Sequence, residues 1–80
     1  MRLDKFLKAS RVIKRRSAAN TAADMGRITV NGKEAKPAKQ IKEGDIVSIK
    51  FGERQFTFKI TYIKDAVKKD DPLMYEVIEG

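Results

Sequence analysis

The 80-residue sequence contains no cysteine, no histidine and no tryptophan, and it has only two prolines. Without cysteine there is no disulfide framework and no thiolate nucleophile, which favours a reducing cytoplasm as the site of residence. Without histidine, neither a Ser-His-Asp nor a Cys-His arrangement can form, and the commonest general base and metal ligand is missing. We therefore predict a cytoplasmic protein that is not an enzyme and that holds no cofactor and no metal.

Long apolar runs and phosphate-binding glycine loops are also missing. No stretch approaches the roughly 20 apolar residues that cross a bilayer, and the first four residues do not resemble a signal peptide. Neither GxxxxGKS/T nor GxGxxG occurs, because the five glycines are scattered along the chain. A chain this short has room for one core, so we expect a single domain over residues 1–80 and no membrane partner.

Positive charge is in excess, and it is concentrated in the first half of the chain. Residues 1–40 hold eleven bases and three acids, whereas residues 41–80 hold seven bases and eight acids. A basic half joined to a nearly neutral half indicates a face for a polyanion, with nucleic acid as the first candidate. An anionic membrane surface is the second, although it would need bulky apolar residues along a whole helix face.

Hydrophobic periodicity predicts two short helices in the basic half. Leu3, Phe6 and Leu7 follow the i, i+3, i+4 spacing of a helix that buries one side. Ser17 is a candidate N-cap for the second helix, and Gly26 stands where a glycine in the left-handed conformation would end it. The residues of this half that we assign to the core are Leu3, Phe6, Leu7, Val12 and Ile13.

After Gly26 the hydrophobic period changes to two, as in strands. Asn31-Gly32 predicts a hairpin, because a type I′ turn needs positive φ at both central residues. Four side chains share one face of the strand 56–62, and we assign this face to the core rather than to base stacking; they are Phe56, Phe58, Ile60 and Tyr62. The result is an α+β fold with two short N-terminal helices packed on a small, mostly antiparallel bent sheet. The predicted strands are 27–30, 46–51, 56–62 and 74–78, with turns at 43–45 and 52–53 and a loop at 64–72.

A run of cations precedes the second helix. Lys14-Arg15-Arg16-Ser17 places three cations at or just before its N-terminus, where free backbone N–H groups and the helix dipole favour an anion. A solvated charge run is the alternative, and the lopsided charge favours phosphate binding. We expect Arg16 to hold a phosphate through its guanidinium and, as an exposed residue, to contribute little to fold stability.

An ordered set of short motifs resembles the S4 domain, the RNA-binding module named after small-subunit ribosomal protein four. The motifs are Arg2-Leu3-Asp4-Lys5-Phe6-Leu7, Arg16-Ser17, the stretch 26–32, Lys36-Pro37, and Gly44-Asp45 with Ile46 and Ile49. The resemblance covers residues 2–51 and leaves 52–80 as appended strands. It implies the αL RNA-binding fold, with RNA against the helical pair. The RNA-binding residues that it nominates are Arg2, Lys5, Arg11, Arg15, Arg16, Arg27 and, more weakly, Lys36.

As a short chain with little beyond the S4-like region, this sequence resembles two related groups, the RqcP ribosome-quality-control factors and the heat-shock protein fifteen group. The stretch from residue 1 to 16 favours the first. That resemblance implies a factor on the large ribosomal subunit that contacts rRNA and peptidyl-tRNA and assists a larger tail-elongating protein in adding C-terminal alanine. We expect it to be a monomer. The alternative is a general tRNA- or mRNA-binding or ribosome-assembly module with a different RNA target.

Overall fold

Two helices and one five-stranded sheet make up the computed structural model, which describes residues 1–64 and 73–79. The strand order is β2-β1-β3-β4-β5, and every pairing within the described residues is antiparallel. The predicted α+β fold is confirmed. The elements are α1 (Leu3–Ala9), α2 (Arg16–Asp24), β1 (Ile28–Val30), β2 (Lys33–Glu34), β3 (Ile46–Phe51), β4 (Arg54–Ile60) and β5 (Tyr75–Glu79).

Helix α1 buries the side that carries its apolar residues. Leu3, Phe6 and Leu7 are fully buried, as the spacing predicted. The helix ends at Ser10, and Arg11 follows with φ of 65°, in the left-handed region that usually holds glycine at this position. The Arg11 N–H donates to the Lys8 carbonyl at 3.1 Å, which closes the last turn.

Helix α2 begins one residue before Ser17. Arg15 is the N-cap, with extended backbone, and no side chain caps the first turn. The prediction of Ser17 as N-cap is therefore wrong: the ion pair of Arg16 with Asp4 holds residue 16 inside the first turn, and this contact outweighs the local capping preference of serine. The helix ends at Asp24 with Met25 as the C-cap, and Gly26 follows in the predicted left-handed conformation, with φ of +73° and no room for a Cβ beside the Glu34 carboxylate.

The sheet follows the predicted turns closely. Asn31 and Gly32 both have positive φ, 53° and 84°, so the predicted hairpin between β1 and β2 is confirmed. Strand β3 has the predicted bounds, whereas β4 begins and ends two residues earlier than predicted and β5 is shifted by one residue. Most of the predicted loop at 64–72 lies outside the described residues.

The core lies between the helices and one face of the sheet. Phe58 and Ile60 are fully buried, and the ring centroids of Phe58 and Phe6 are 6.3 Å apart. Phe58 and Ile60 thus face the core as predicted, whereas Phe56 is only partly buried and Tyr62, also partly buried, lies beyond the end of β4. Val12 and Ile13 differ from the prediction, because they follow the end of α1 and pack only partly buried at the rim of the core.

Candidate nucleic-acid interface

A buried carboxylate joins the two helices. Asp4, in the first turn of α1, is 1% exposed, and its Oδ2 lies 3.2 Å from Arg2 Nη2 and 3.3 Å from Arg16 Nε. The same oxygen accepts a hydrogen bond from Asn20 Nδ2 at 3.3 Å, while Oδ1 accepts the Lys5 backbone N–H at 2.7 Å. We call Arg2, Asp4, Arg16 and Asn20 the Asp4 cluster. It fixes the N-cap residue of α1 against the first two turns of α2.

The Asp4 cluster holds an ionised carboxylate at neutral pH. Burial raises the pKa of Asp4, but the hydrogen bonds from Arg16, the Lys5 backbone and Asn20, together with the charge of Arg16, outweigh burial. The pKa therefore lies below its ordinary value of 3.8. One buried anion is thus set against two guanidinium groups, and the cluster keeps a net positive charge.

Both arginines of the Asp4 cluster keep part of their side chains in solvent. The Arg2 side chain is 44% exposed and that of Arg16 is 48% exposed. Arg16 contacts Asp4 through Nε, and no described residue accepts a hydrogen bond from its terminal nitrogens. These nitrogens form a fork that suits a phosphate oxygen pair. The geometry therefore suits simultaneous contact with Asp4 and with an external anion.

Backbone pairing positions the first residues of the chain. The Leu3 N–H donates to the Lys39 carbonyl at 2.8 Å, and the Asp4 N–H donates to the Pro37 carbonyl at 3.2 Å. Arg2 forms a β-bridge with Gln40. The motif residue Pro37 thus anchors the start of α1, and the exposed Lys36 precedes it on the same segment.

The exposed side of α2 connects four of the predicted residues. One shallow depression is lined by the Asp4 cluster together with Ser17 and Thr21. A second depression shares Ser17 and Thr21 and reaches Arg15 and Arg27. We call the two together the α2 surface. The predicted residues that border it are Arg2, Arg15, Arg16 and Arg27.

The other predicted residues lie elsewhere. Lys5 and Lys36 are exposed but line neither depression of the α2 surface. Arg11 lies in a separate groove beside Phe51 and Arg54. Sequence reasoning missed Asp4 as a site residue. A signal for it was present, since Asp4 is the only acid among the cations of residues 1–16.

A second buried aspartate lies in the turns of the sheet. Asp45 is 4% exposed and accepts hydrogen bonds from Asn31 Nδ2 at 3.1 Å and from the Lys42 N–H at 2.9 Å. Asn31 Oδ1 in turn accepts the Ile46 N–H at 3.0 Å. We call Asn31, Lys42, Asp45 and Ile46 the turn clasp. The motif pairs Asn31-Gly32 and Gly44-Asp45 are therefore devices that lock two turns together.

Comparison with known proteins identifies the family. The S4 domain family matches residues 1–47, and the chain belongs to that family. It is 45% identical to the RQC P-site tRNA stabilizing factor of Bacillus subtilis, over 99% of this chain and 93% of the relative. It is 51% identical to the protein of the same name from Halalkalibacterium halodurans, over 96% of this chain and 89% of the relative.

A solved structure is similar to this chain over most of the length of both proteins. The trimeric structure of Vibrio cholerae heat shock protein 15 superposes with a TM-score of 0.85 at 32% identity, and the match covers 96% of this chain and 80% of that chain. The predicted resemblance to the S4 domain and to these two groups is confirmed. Within residues 1–64 and 73–79, no helix combines the length and the apolar character that spanning a bilayer requires.

Proposed function

We propose that this chain is a non-enzymatic RNA-binding factor that stabilises peptidyl-tRNA on the large ribosomal subunit during quality control of stalled translation. The observation that carries the proposal is the Asp4 cluster, because it presents two partly exposed arginines, Arg2 and Arg16, on the α2 surface. The names of the relatives support the same function, since proteins 45% and 51% identical to this chain are called RQC P-site tRNA stabilizing factors.

The α2 surface suits the RNA backbone better than base edges. Its positively charged groups are all guanidiniums, which pair with phosphate, and its uncharged polar groups are small. Folded rRNA and tRNA are recognised largely through shape and phosphate spacing. The seven residues proposed to contact RNA are those nominated by the sequence, with Arg2, Arg15, Arg16 and Arg27 at the centre and Lys5, Lys36 and Arg11 outside it.

The proposal extends to the setting of the reaction. The chain works in the cytoplasm as one domain over residues 1–80, with 52–80 as appended strands, and contacts both rRNA and tRNA. It assists a larger tail-elongating protein in adding alanine to the stalled peptide and carries out no turnover itself. It acts as a monomer, and sedimentation of the free protein tests this point because the heat shock protein 15 structure is described as trimeric.

The proposal is tested by cosedimentation with purified large subunits that carry peptidyl-tRNA. Arg16→Ala should weaken association about tenfold or more, because a charge-assisted hydrogen bond is worth about 1.5–3 kcal/mol. Lys59→Ala is the matched control: it removes one exposed positive charge from β4, on the side of the sheet that faces away from the helices. It should change association less than twofold.

Two results would contradict the proposal. Equal cosedimentation of the Arg16→Ala variant and the parent, both checked as folded, would remove the α2 surface from RNA binding. Equal affinity of the parent for free tRNA, for messenger RNA fragments and for the large subunit would favour the general RNA-binding module instead.

A further inference from the structure

The groove that contains Arg11 is separate from the α2 surface. It lies where the helix-facing side of the sheet continues beyond the end of α1, and Phe51 and Arg54 are directly paired there across β3 and β4. It shares no lining residue with the α2 surface. The residues that line it are Arg11, Val12, Phe51, Arg54, Phe56 and Tyr75.

Aromatic rings form a large part of this groove. The Phe56 and Tyr75 rings are packed edge to face, with centroids 6.2 Å apart and an interplanar angle of 83°. Tyr75 also lies 5.1 Å from the buried ring of Phe58, so its position is fixed by the core. Phe51 is 49% exposed, which is unusual for a phenylalanine on the core-facing side of a sheet. The groove thus combines rings held by the core with one ring open to solvent.

Two arginines complete the groove. No described acidic side chain forms an ion pair with Arg11 or with Arg54. Arg11 also occupies the left-handed conformation, with φ of 65°, where glycine or asparagine would be less strained. The fold therefore places an arginine at a backbone position that glycine or asparagine would occupy with less strain.

We infer that this groove is a second RNA contact, which takes an unpaired nucleotide. Its base stacks on Phe51 and its phosphates pair with Arg11 and Arg54, as aromatic and cationic side chains do in single-strand binders. Charge complementarity favours this occupant over a second copy of the chain. Two copies that met groove to groove would bring their arginines together and repel each other. The inference rests on the proposed function in one respect: both assume that the chain binds RNA.

Binding of a fluorescently labelled oligouridylate of ten nucleotides tests the inference by anisotropy. Phe51→Leu keeps an apolar side chain but removes the ring, and Arg54→Gln removes the charge. Each should weaken binding about five- to tenfold. Lys50→Gln is the matched control, because Lys50 lies on β3 next to Phe51 and points to the opposite face. It should change binding less than twofold.

The tyrosine emission gives an independent readout. The chain has two tyrosines and no tryptophan, and nucleotide binding beside Tyr75 should quench part of this emission. Tyr75→Phe should abolish the quenching, because the other tyrosine, Tyr62, does not line the groove. A strand of ten abasic sites, which keeps the phosphates but has no bases, should bind at least fivefold more weakly than the oligouridylate.

Three outcomes would overturn the inference. One is that Phe51→Leu and Arg54→Gln bind the oligouridylate as the parent does. Another is that the abasic strand binds equally well, which would leave no role for stacking. The third is that Phe51→Leu changes the sedimentation of the free protein but not oligonucleotide binding, so that the groove joins copies of the chain.

Failure here is distinguishable from failure of the proposed function. If the parent cosediments with large subunits and Arg16→Ala does not, while groove variants bind oligouridylate normally, only the groove inference is wrong. If the groove variants lose oligouridylate binding while Arg16→Ala cosediments like the parent, only the role of the α2 surface is wrong.

Discussion

Two regions of this small protein are each organised around a buried aspartate, and the partners of the two carboxylates differ. In the Asp4 cluster the partners include the guanidiniums of Arg2 and Arg16, which extend into solvent. In the turn clasp the partners of Asp45 are the Asn31 amide and a backbone N–H, neither of which carries a charge. Both aspartates belong to the motifs that resemble the S4 domain, but only Asp4 is connected to a surface that suits an anion.

The difference shows how a short motif combines folding and binding. A carboxylate that accepts hydrogen bonds only from amide and backbone N–H groups satisfies those polar groups but positions no charged side chain at the surface. A carboxylate that holds two partly exposed arginines fixes their positions as well. The charge of the partners, rather than the burial of the aspartate, therefore distinguishes a structural residue from one that positions a site.

The largest expected change comes from the turn clasp. Asp45→Ala leaves the Asn31 amide and the Lys42 N–H without their acceptor, and the free energy of unfolding should fall by about 2–3 kcal/mol. Urea unfolding measures this loss. The folded fraction at low temperature should bind large subunits as the parent does. Glu43→Ala, at an exposed acid in the same turn, should stay within about 0.5 kcal/mol of the parent.

Loss of subunit binding by folded Asp45→Ala protein would break the comparison, because it would give the turn clasp a part in RNA contact.

A smaller change in stability is expected in the Asp4 cluster. The sequence predicts that Arg16→Ala leaves the thermal stability nearly unchanged, but the ion pair of Arg16 with a buried carboxylate raises the expected loss. Asp4 keeps its contacts with Arg2 and Asn20, and the Arg16 side chain is half exposed. The loss should therefore be about 1 kcal/mol, or roughly 4–8 °C in Tm for a domain of this size.

Arg15→Ala is the control for this measurement, because Arg15 is exposed and forms no ion pair with any described residue. A thermal scan should separate the two variants. Coincident melting of Arg16→Ala and Arg15→Ala would show that Arg16 does not stabilise the helix pair.

The smallest expected effect is confined to acid pH. The pKa of Asp4 is lower in the folded protein than its ordinary value of 3.8, so the unfolded chain takes up the proton first as the pH falls. The stabilisation by ionised Asp4 is complete above about pH 5 and is lost as the pH falls through the folded pKa. The parent should be more stable than Asp4→Asn at pH 7, and this difference should shrink below about pH 4.

Thermal scans from pH 2.5 to 7 measure that difference. A gap between the parent and Asp4→Asn that stays constant over this range would mean that the ionised form of Asp4 contributes nothing to the stability of the Asp4 cluster.

The fold was largely predictable from the sequence because its signals are local. Alternating residues placed Phe58 and Ile60 in the core, and Asn31-Gly32 specified its hairpin through backbone geometry.

The site was less predictable, since residues 2, 4, 16 and 20 meet only after the two helices pack. Ser17 failed as a cap because a tertiary ion pair overrode a local preference. Arg11 lies apart from the arginines of the α2 surface because it follows the end of α1 in a left-handed turn and lines a different groove.

The contact between Asp4 and its arginines also has a kinetic consequence. The carboxylate offsets one positive charge, which weakens the long-range field that draws RNA towards the α2 surface. It also restrains two flexible side chains before RNA arrives, so that less conformational entropy is lost when a phosphate binds. We expect the first effect to lower the association rate slightly and the second to slow dissociation. The buried carboxylate thus governs how long a bound phosphate stays more than how quickly it arrives.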